Sequence, residues 1–392
     1  MTVREPLIMR HLRRQMSRGY QPDSTWHRKV RYVHEDGGLA GDFPDWIGGS
    51  SDNRIRIGFI APTHVRRSTR TDNRAWFAAM TDQLNAVGQM SPDVDVAVMV
   101  GMQWMDEAEE PEAIARLRDL AVLTPPSAGF RFLGLSLQGP AKVRTLNAGI
   151  EVAQTLGFAA VGWFDDDVRM ESGCLAELVR DFMTNGCRGA VGATKIPHAH
   201  AHVTSRLLHR AKAVAAPATG YPHGCCILVA LPVVAGGIPD RYLCDDGYVC
   251  FRLLDPGAED ALHALRLVPA ARCHYHVAGP ARPTGRRIRR LLLNHNIYLA
   301  DWSYPVARYY FRNILFYGMW PLAGWDGSKG LWHGISNASI KWLYFCWFAK
   351  VSAELYLRGV LQRPLLRVDW AEYAGTTAPI SPIDSTLTRA FT

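Results

Sequence analysis

The stretch FAAVGWFDDDVRM, residues 158–170, ends a run of apolar residues on three consecutive carboxylates, Asp165, Asp166 and Asp167. Neighbouring like charges repel, and burying any of them unpaired costs several kcal/mol. Three arrangements would relieve that cost. The acids could form a solvated turn after a strand, where Asp is common. They could cap the next segment, ESGCLAELVRDFM (171–183), in which Leu175, Leu178, Val179, Phe182 and Met183 recur at helical spacing. Or they could hold a divalent cation, because hard cations take oxygen ligands and cancel the repulsion.

The flanking sequence predicts an α/β domain that brings a site to this place. Strands are expected at 54–63, 94–101, 130–136 and 158–164, with helices at 74–88, 107–122 and 141–157. Open α/β sheets bind ligands beyond the carboxyl ends of their strands. The triplet stands at such an end, which favours the cation. Just upstream, KVRTLNAG (142–149) places Lys142 and Asn147 near a helix start, where a lysine and free backbone amides suit phosphate. Downstream, YPHGCC (221–226) leads to a strand, a Gly-Gly loop and a second acid pair, Asp245–Asp246, followed by a helix bearing Val249, Leu253 and Leu254. This pair, too, could be a helix cap. CHYHVAGP (273–280) then sets His274 and His276 on alternate positions of an expected strand.

Taken in order, these features resemble the family 2 glycosyltransferases of the GT-A fold. The family's K-x-x-x-x-N-x-G helix matches Lys142, Asn147 and Gly149, and its DxD matches Asp165 and Asp167. Its E-D-x-x-x-x-x-R-L segment matches DDGYVCFRL (245–253), and its H-x-G-G matches His276 to Gly279. The resemblance covers roughly residues 55–300. It implies a Rossmann-like mixed sheet flanked by helices, and inverting, metal-dependent transfer of a sugar from a UDP-, dTDP- or GDP-linked donor to an acceptor hydroxyl. Under it, Asp165, Asp167 and His276 would hold Mn2+ or Mg2+. Pro62, Thr63, Lys142, Asn147, Asp165 and Asp166 would bind the donor. Asp246 would be the general base, with Asp245 positioning it or the acceptor, and Gly224 and Cys225 would shape the acceptor side. Two departures stand out. The first strand ends Ala61-Pro62-Thr63-His64, keeping only the Pro-Thr of the family's Pro-Thr-Tyr-Asn. The second ends VAVMVGMQW (96–104) without the acid that holds the nucleotide base, leaving Gln103 and Asp106 as nearby substitutes. No G-x-G-x-R-type loop supports a nucleotidyltransferase, and no Q-x-x-R-W motif supports processive synthesis.

The formal net charge of +8 is unevenly placed. Residues 1–34 carry Arg4, Arg10, Arg13, Arg14, Arg18, Arg28, Lys29 and Arg31 against Glu5 and Asp23, and residues 282–290 carry five arginines and no acid. Such clusters suit phosphates of nucleic acid, anionic lipid or substrate. They lie outside the expected α/β core, and no nucleic-acid motif accompanies them, so nucleic acid is not an expected partner. The eight cysteines form no CxxC pair and are expected to be cytosolic thiols. Neither a signal peptide nor a membrane span is recognised, which leads to the expectation of a cytoplasmic protein.

Three parts are expected: a basic N-terminal arm (1–52), a GT-A catalytic domain (53–280) and a helical region (281–392). In the last, RYYFRNILFYGMWPLAGW (308–325) and SIKWLYFCWFAKVSAELYLRGVL (339–361) mix aromatics with Arg and Lys, as at a membrane interface. Two readings stand for it. One is a face lying on the inner leaflet of the cell membrane beside a lipid-linked glycan acceptor. The other is a tail packed on the catalytic domain or in a homo-oligomer. HAHAH (198–202) is expected to be an exposed loop rather than a metal site.

Overall fold

The computed structural model describes residues 4–20, 30–43, 54–125, 128–139, 141–198, 222–242, 244–276, 281–323 and 330–365. Its centre is a mixed sheet with the order β2-β1-β5-β4-β3-β6-β9-β8-β10-β7. The strands are β1 (Val30–Val33), β2 (Leu39–Ala40), β3 (Ile55–His64), β4 (Val94–Trp104), β5 (Phe130–Gln138), β6 (Ala160–Phe164), β7 (Arg169–Met170), β8 (Ala190–His198), β9 (Cys226–Ala230) and β10 (Leu265–His276). The middle of the sheet is Rossmann-like: β3 is parallel to β4 and to β6, and β4 to β5. Strands buried on both faces read as continuous apolar runs. In β4, accordingly, every residue but Asp95 is buried.

Helices cover both faces. On one side lie α2 (Arg70–Met90), α3 (Glu110–Val122) and α5 (Cys174–Thr184). On the other lie α4 (Lys142–Thr155), α7 (Asp245–Leu253), α8 (Ala281–Asp301) and α11 (Leu331–Val360). Short pieces complete the chain: α6 (Leu231–Val234), α9 (Tyr304–Tyr309), a π-helical turn (Tyr310–Leu315) and α10 (Phe316–Met319). No described helix is long and apolar enough to cross a membrane.

The residues expected to form a basic arm supply regular structure. Helix α1 (Leu7–Arg18) packs on α8 and α11, and Arg13 donates to the backbone carbonyls of Leu299 and Trp302 and pairs with Glu5. Strand β1 runs antiparallel to β5 and covers its edge, burying Tyr32 and Val33.

Local capping decides how the two acid runs are read. Helix α5 starts after Gly173, which sits at φ 75°, with no side-chain cap. The triplet 165–167 therefore does not cap it. Helix α7 likewise has no side-chain cap, and Asp245 and Asp246 lie within its first turn. Residues 199–202 of the His-rich run and 277–279 of the His-x-x-Gly run lie outside the described residues.

Candidate active site at the carboxyl ends of the central strands

The chain runs β3, β4, β5 outward, then returns to lay β6 on the other side of β3. Ligands of such sheets bind in the crevice where the order reverses. That crevice is bridged here by side chains. Thr63, fully buried at the end of β3, donates its hydroxyl to Asp166 Oδ2 at 2.7 Å. Arg67 brings its guanidinium to 3.7 Å from Asp166 and 3.6 Å from Asp167.

Lys142 is the hub of the site. It is the first residue of α4, and Gly149 on that helix lets the backbone close onto β3, since a Cβ there would come within 2.6 Å of Ile60. The ammonium lies 2.7 Å from Asp165 Oδ1 and 3.2 Å from Asp245 Oδ2, and donates to the Gly224 carbonyl at 2.7 Å. Burial works to lower the Lys142 pKa, but Asp165 and Asp245 overcome it and push it up, so the ammonium stays charged. The Asp165 amide donates to the Cys225 carbonyl at 3.1 Å, tying the triplet to the Gly224–Cys225 turn. Three stretches far apart in sequence thus meet on one amine.

The two acids of α7 part company. Asp245 keeps only 8% of its side chain in water and accepts from Lys142 and from the Trp163 indole N–H. Burial raises its pKa to about 6, against the pull of Lys142. Asp246 keeps 26% of its side chain exposed, 3.8 Å from His223 Nδ1. Burial works to raise its pKa as well. A hydrogen bond and charge from His223, the charge of Lys195 and the Gly224 amide outweigh that and hold it well below the usual range. The reachable carboxylate is the ionised one. Gly224 has no room for a side chain, because a Cβ would lie 2.3 Å from Asp245 Oδ2.

The carboxylates suit a hard cation in kind, being oxygen donors still partly open to water, with 32% of the Asp165 side chain and 21% of the Asp167 side chain exposed. Among the described residues no group of three or more ligating side chains comes together. Divalent ions that serve nucleotides take one or two carboxylates and complete their shell with water and phosphate oxygens. The triplet fits that kind of site and not an all-protein cage.

The remaining expected residues are placed as follows. Asn147 clamps the Gly-Gly loop, its amide exchanging two hydrogen bonds with the Ile238 backbone at 2.7 and 2.9 Å. Pro62 lies in β3 opposite Gly101. The Cys225 sulfur is 3.8 Å from that of Cys273, without a disulfide. His276 ends β10, and His274 reaches Glu171 at 2.9 Å. Asp106 is spent on Arg66. Gln103 donates to the Ala141 carbonyl and leaves its buried Oε1 without a partner, as does His64 its Nε2. These two residues sit opposite each other on β4 and β3. Burial lowers the His64 pKa to about 4, so that ring is neutral.

Sequence reasoning missed Trp163 and His223. A signal existed for the first, since a buried indole N–H needs an acceptor and Trp163 precedes the acids by two residues.

No family model and no curated protein matches the chain. Among solved structures it is similar to a mannosyltransferase of Pyrobaculum calidifontis in complex with GDP-Man and Mn2+, at 16% identity and a TM-score of 0.45 over 91% of this chain and 94% of that one. At that level of likeness the functional reading rests on the side chains themselves.

Proposed function

We propose that the protein is an inverting glycosyltransferase of the family 2 kind, moving a sugar from a nucleotide-sugar donor to an acceptor hydroxyl on a glycan or lipid-linked glycan. One observation carries the reading. Lys142 gathers Asp165, Asp245 and the Gly224 carbonyl at the point where the strand order reverses, with the ionised Asp246 beside them.

In this reading Asp165 and Asp167, with His276 as the further expected ligand, would hold a Mn2+ or Mg2+ ion, which would supply positive charge to the departing diphosphate. Thr63 and Arg67 fix Asp166 and the floor beneath the donor. Asp245, buried on Lys142 and Trp163, locks the first turn of α7 and so aims Asp246. Asp246 takes the proton of the acceptor hydroxyl as that oxygen attacks the anomeric carbon in line with the leaving diphosphate. A carboxylate of such low basicity is a weak base toward a free hydroxyl. The proton therefore moves late, once bonding to the sugar has made the hydroxyl acidic. One displacement with no covalent intermediate inverts the anomeric configuration.

The test is a thermal-shift panel of UDP-, dTDP- and GDP-sugars with and without Mn2+ or Mg2+. Binding to the native state raises the melting temperature by mass action. A shift with one nucleotide that needs the metal is expected; no shift with any of them would overturn the reading.

A further inference from the structure

We propose that the groove between α1, α8, α9 and α11 takes one hydrocarbon chain of an anionic phospholipid, with the lipid phosphate on Arg308 and Arg312. The groove has a volume of about 550 Å³ and apolar walls, among them Met9, Met16, Leu299, Phe311, Phe348 and Tyr356. Phe311 and Arg312 belong to the π-helical turn, a local widening that recurs at functional sites. Arg308 and Arg312 line the same groove, and among the described residues no carboxylate pairs with either. An apolar channel with two unopposed guanidinium groups has the chemistry of an acyl chain and its phosphate.

Charge selects the occupant. Residues 1–20 and 281–365 together hold 17 Arg and Lys against 4 Asp and Glu. The described acids are already engaged: Glu5 with Arg10 and Arg13, Asp301 with Arg241, Glu354 with Arg289 and Arg358. A second copy of this chain would bring the same positive charge and be repelled, whereas an anionic leaflet attracts it. The same helices expose large apolar side chains, including Leu7 and Ile8 on α1 and Trp332, Trp342 and Leu343 on α11. Exposed apolar groups beside aromatics and arginine suit a bilayer interface. The inference does not rest on the transferase reading, and lipid binding is tested without donor, so the two fail separately.

The experiment uses the full chain and vesicles of phosphatidylcholine with or without phosphatidylglycerol. A second probe is lysophosphatidic acid below its critical micelle concentration, followed by calorimetry. Co-sedimentation with the anionic vesicles alone and saturable binding of one lysophosphatidic acid are expected. Arg308→Glu with Arg312→Glu should weaken vesicle binding about 10- to 100-fold. Ala353→Trp, which fills the groove from an exposed position of α11, should remove the lysophosphatidic acid site at an unchanged melting temperature. Should Ala353→Trp fail to fold, the arginine pair decides through the same calorimetry. Equal binding to neutral vesicles, an undiminished site in the folded variants, or a dimer that lipid does not dissociate would each overturn the proposal. Lipid binding without any nucleotide-sugar binding would sink the transferase reading and leave this one standing.

Discussion

Replacing Lys142 with methionine keeps most of the side chain's length and removes its charge. Two carboxylates and a carbonyl then lose their donor. Breaking a buried pair by removing one partner costs about 3–5 kcal/mol. Asp165 contributes little of this, because 32% of its side chain is exposed and it can turn to water. Asp245 has no such outlet but can take up a proton. Its pKa is already raised from 3.8 to about 6, and Lys142 is the group pulling it down. Without Lys142 it rises further. A carboxyl raised in the folded state stabilises fully below its unfolded pKa, and that stability is lost as pH climbs through the folded value. The loss from Lys142→Met should therefore be about 3 kcal/mol at pH 8 and half that or less at pH 5, where Asp245 is protonated. Urea unfolding at both pH values measures it. In an Asp245→Asn background the same substitution should cost about 2 kcal/mol less at pH 8, because the buried charge is gone. Equal losses at the two pH values, or additivity within about 0.5 kcal/mol in the double mutant, would refute the account of Lys142 as the counter-charge of Asp245.

Asp246→Asn should abolish transfer yet keep the metal-dependent thermal shift with donor, whereas Asp165→Ala should lose both; equal loss of donor binding in the two would count against the separate roles. Gly224→Ala forces the Asp245 carboxylate off Lys142 and Trp163, because the added Cβ meets it at 2.3 Å. It should lower stability by about 1–3 kcal/mol and remove transfer, read by urea midpoint and product formation, and a fully active Ala variant would show that the carboxylate need not hold its place. The depressed Asp246 gives stability that is present above its ordinary 3.8 and lost as pH falls below that. The midpoint of the wild type should drop on that acid limb and the Asp246→Asn variant should drop less, as urea titrations between pH 5 and 3 would reveal.

The central strands were legible because their burial on both faces leaves unbroken apolar runs. Their helices were legible too, though α2 begins at Arg70, four residues before the apolar periodicity does. A reciprocal capping box between Thr69 and Asp72 adds that turn, and polar residues carry it, so an apolar pattern cannot find it. Strand β1 was hidden for another reason. VRYV is four residues long, and what makes it a strand is pairing with β5 about a hundred positions away. Local sequence holds no trace of that partner. Around it the arginines drew the reading toward a basic arm.

The same distinction governs the site. Lys142, Asp165, Gly224 and Asp245 could each be picked out by residue type and spacing, but their convergence on one ammonium is a product of the strand order. Residue type and spacing do not separate Asp245 from Asp246, neighbours on one helical turn; only the family resemblance gave them different roles. The fold divides them by direction. One points inward to an indole and a lysine and drifts toward neutrality; the other keeps water, a histidine and a backbone amide and stays ionised. Exchanging their roles would require an uncompensated charge beneath the sheet and leave the accessible position to a group that is half protonated near pH 6. The division supports the proposed roles, with the buried Asp245 as the structural acid and the ionised, accessible Asp246 as the carboxylate proposed to accept the proton.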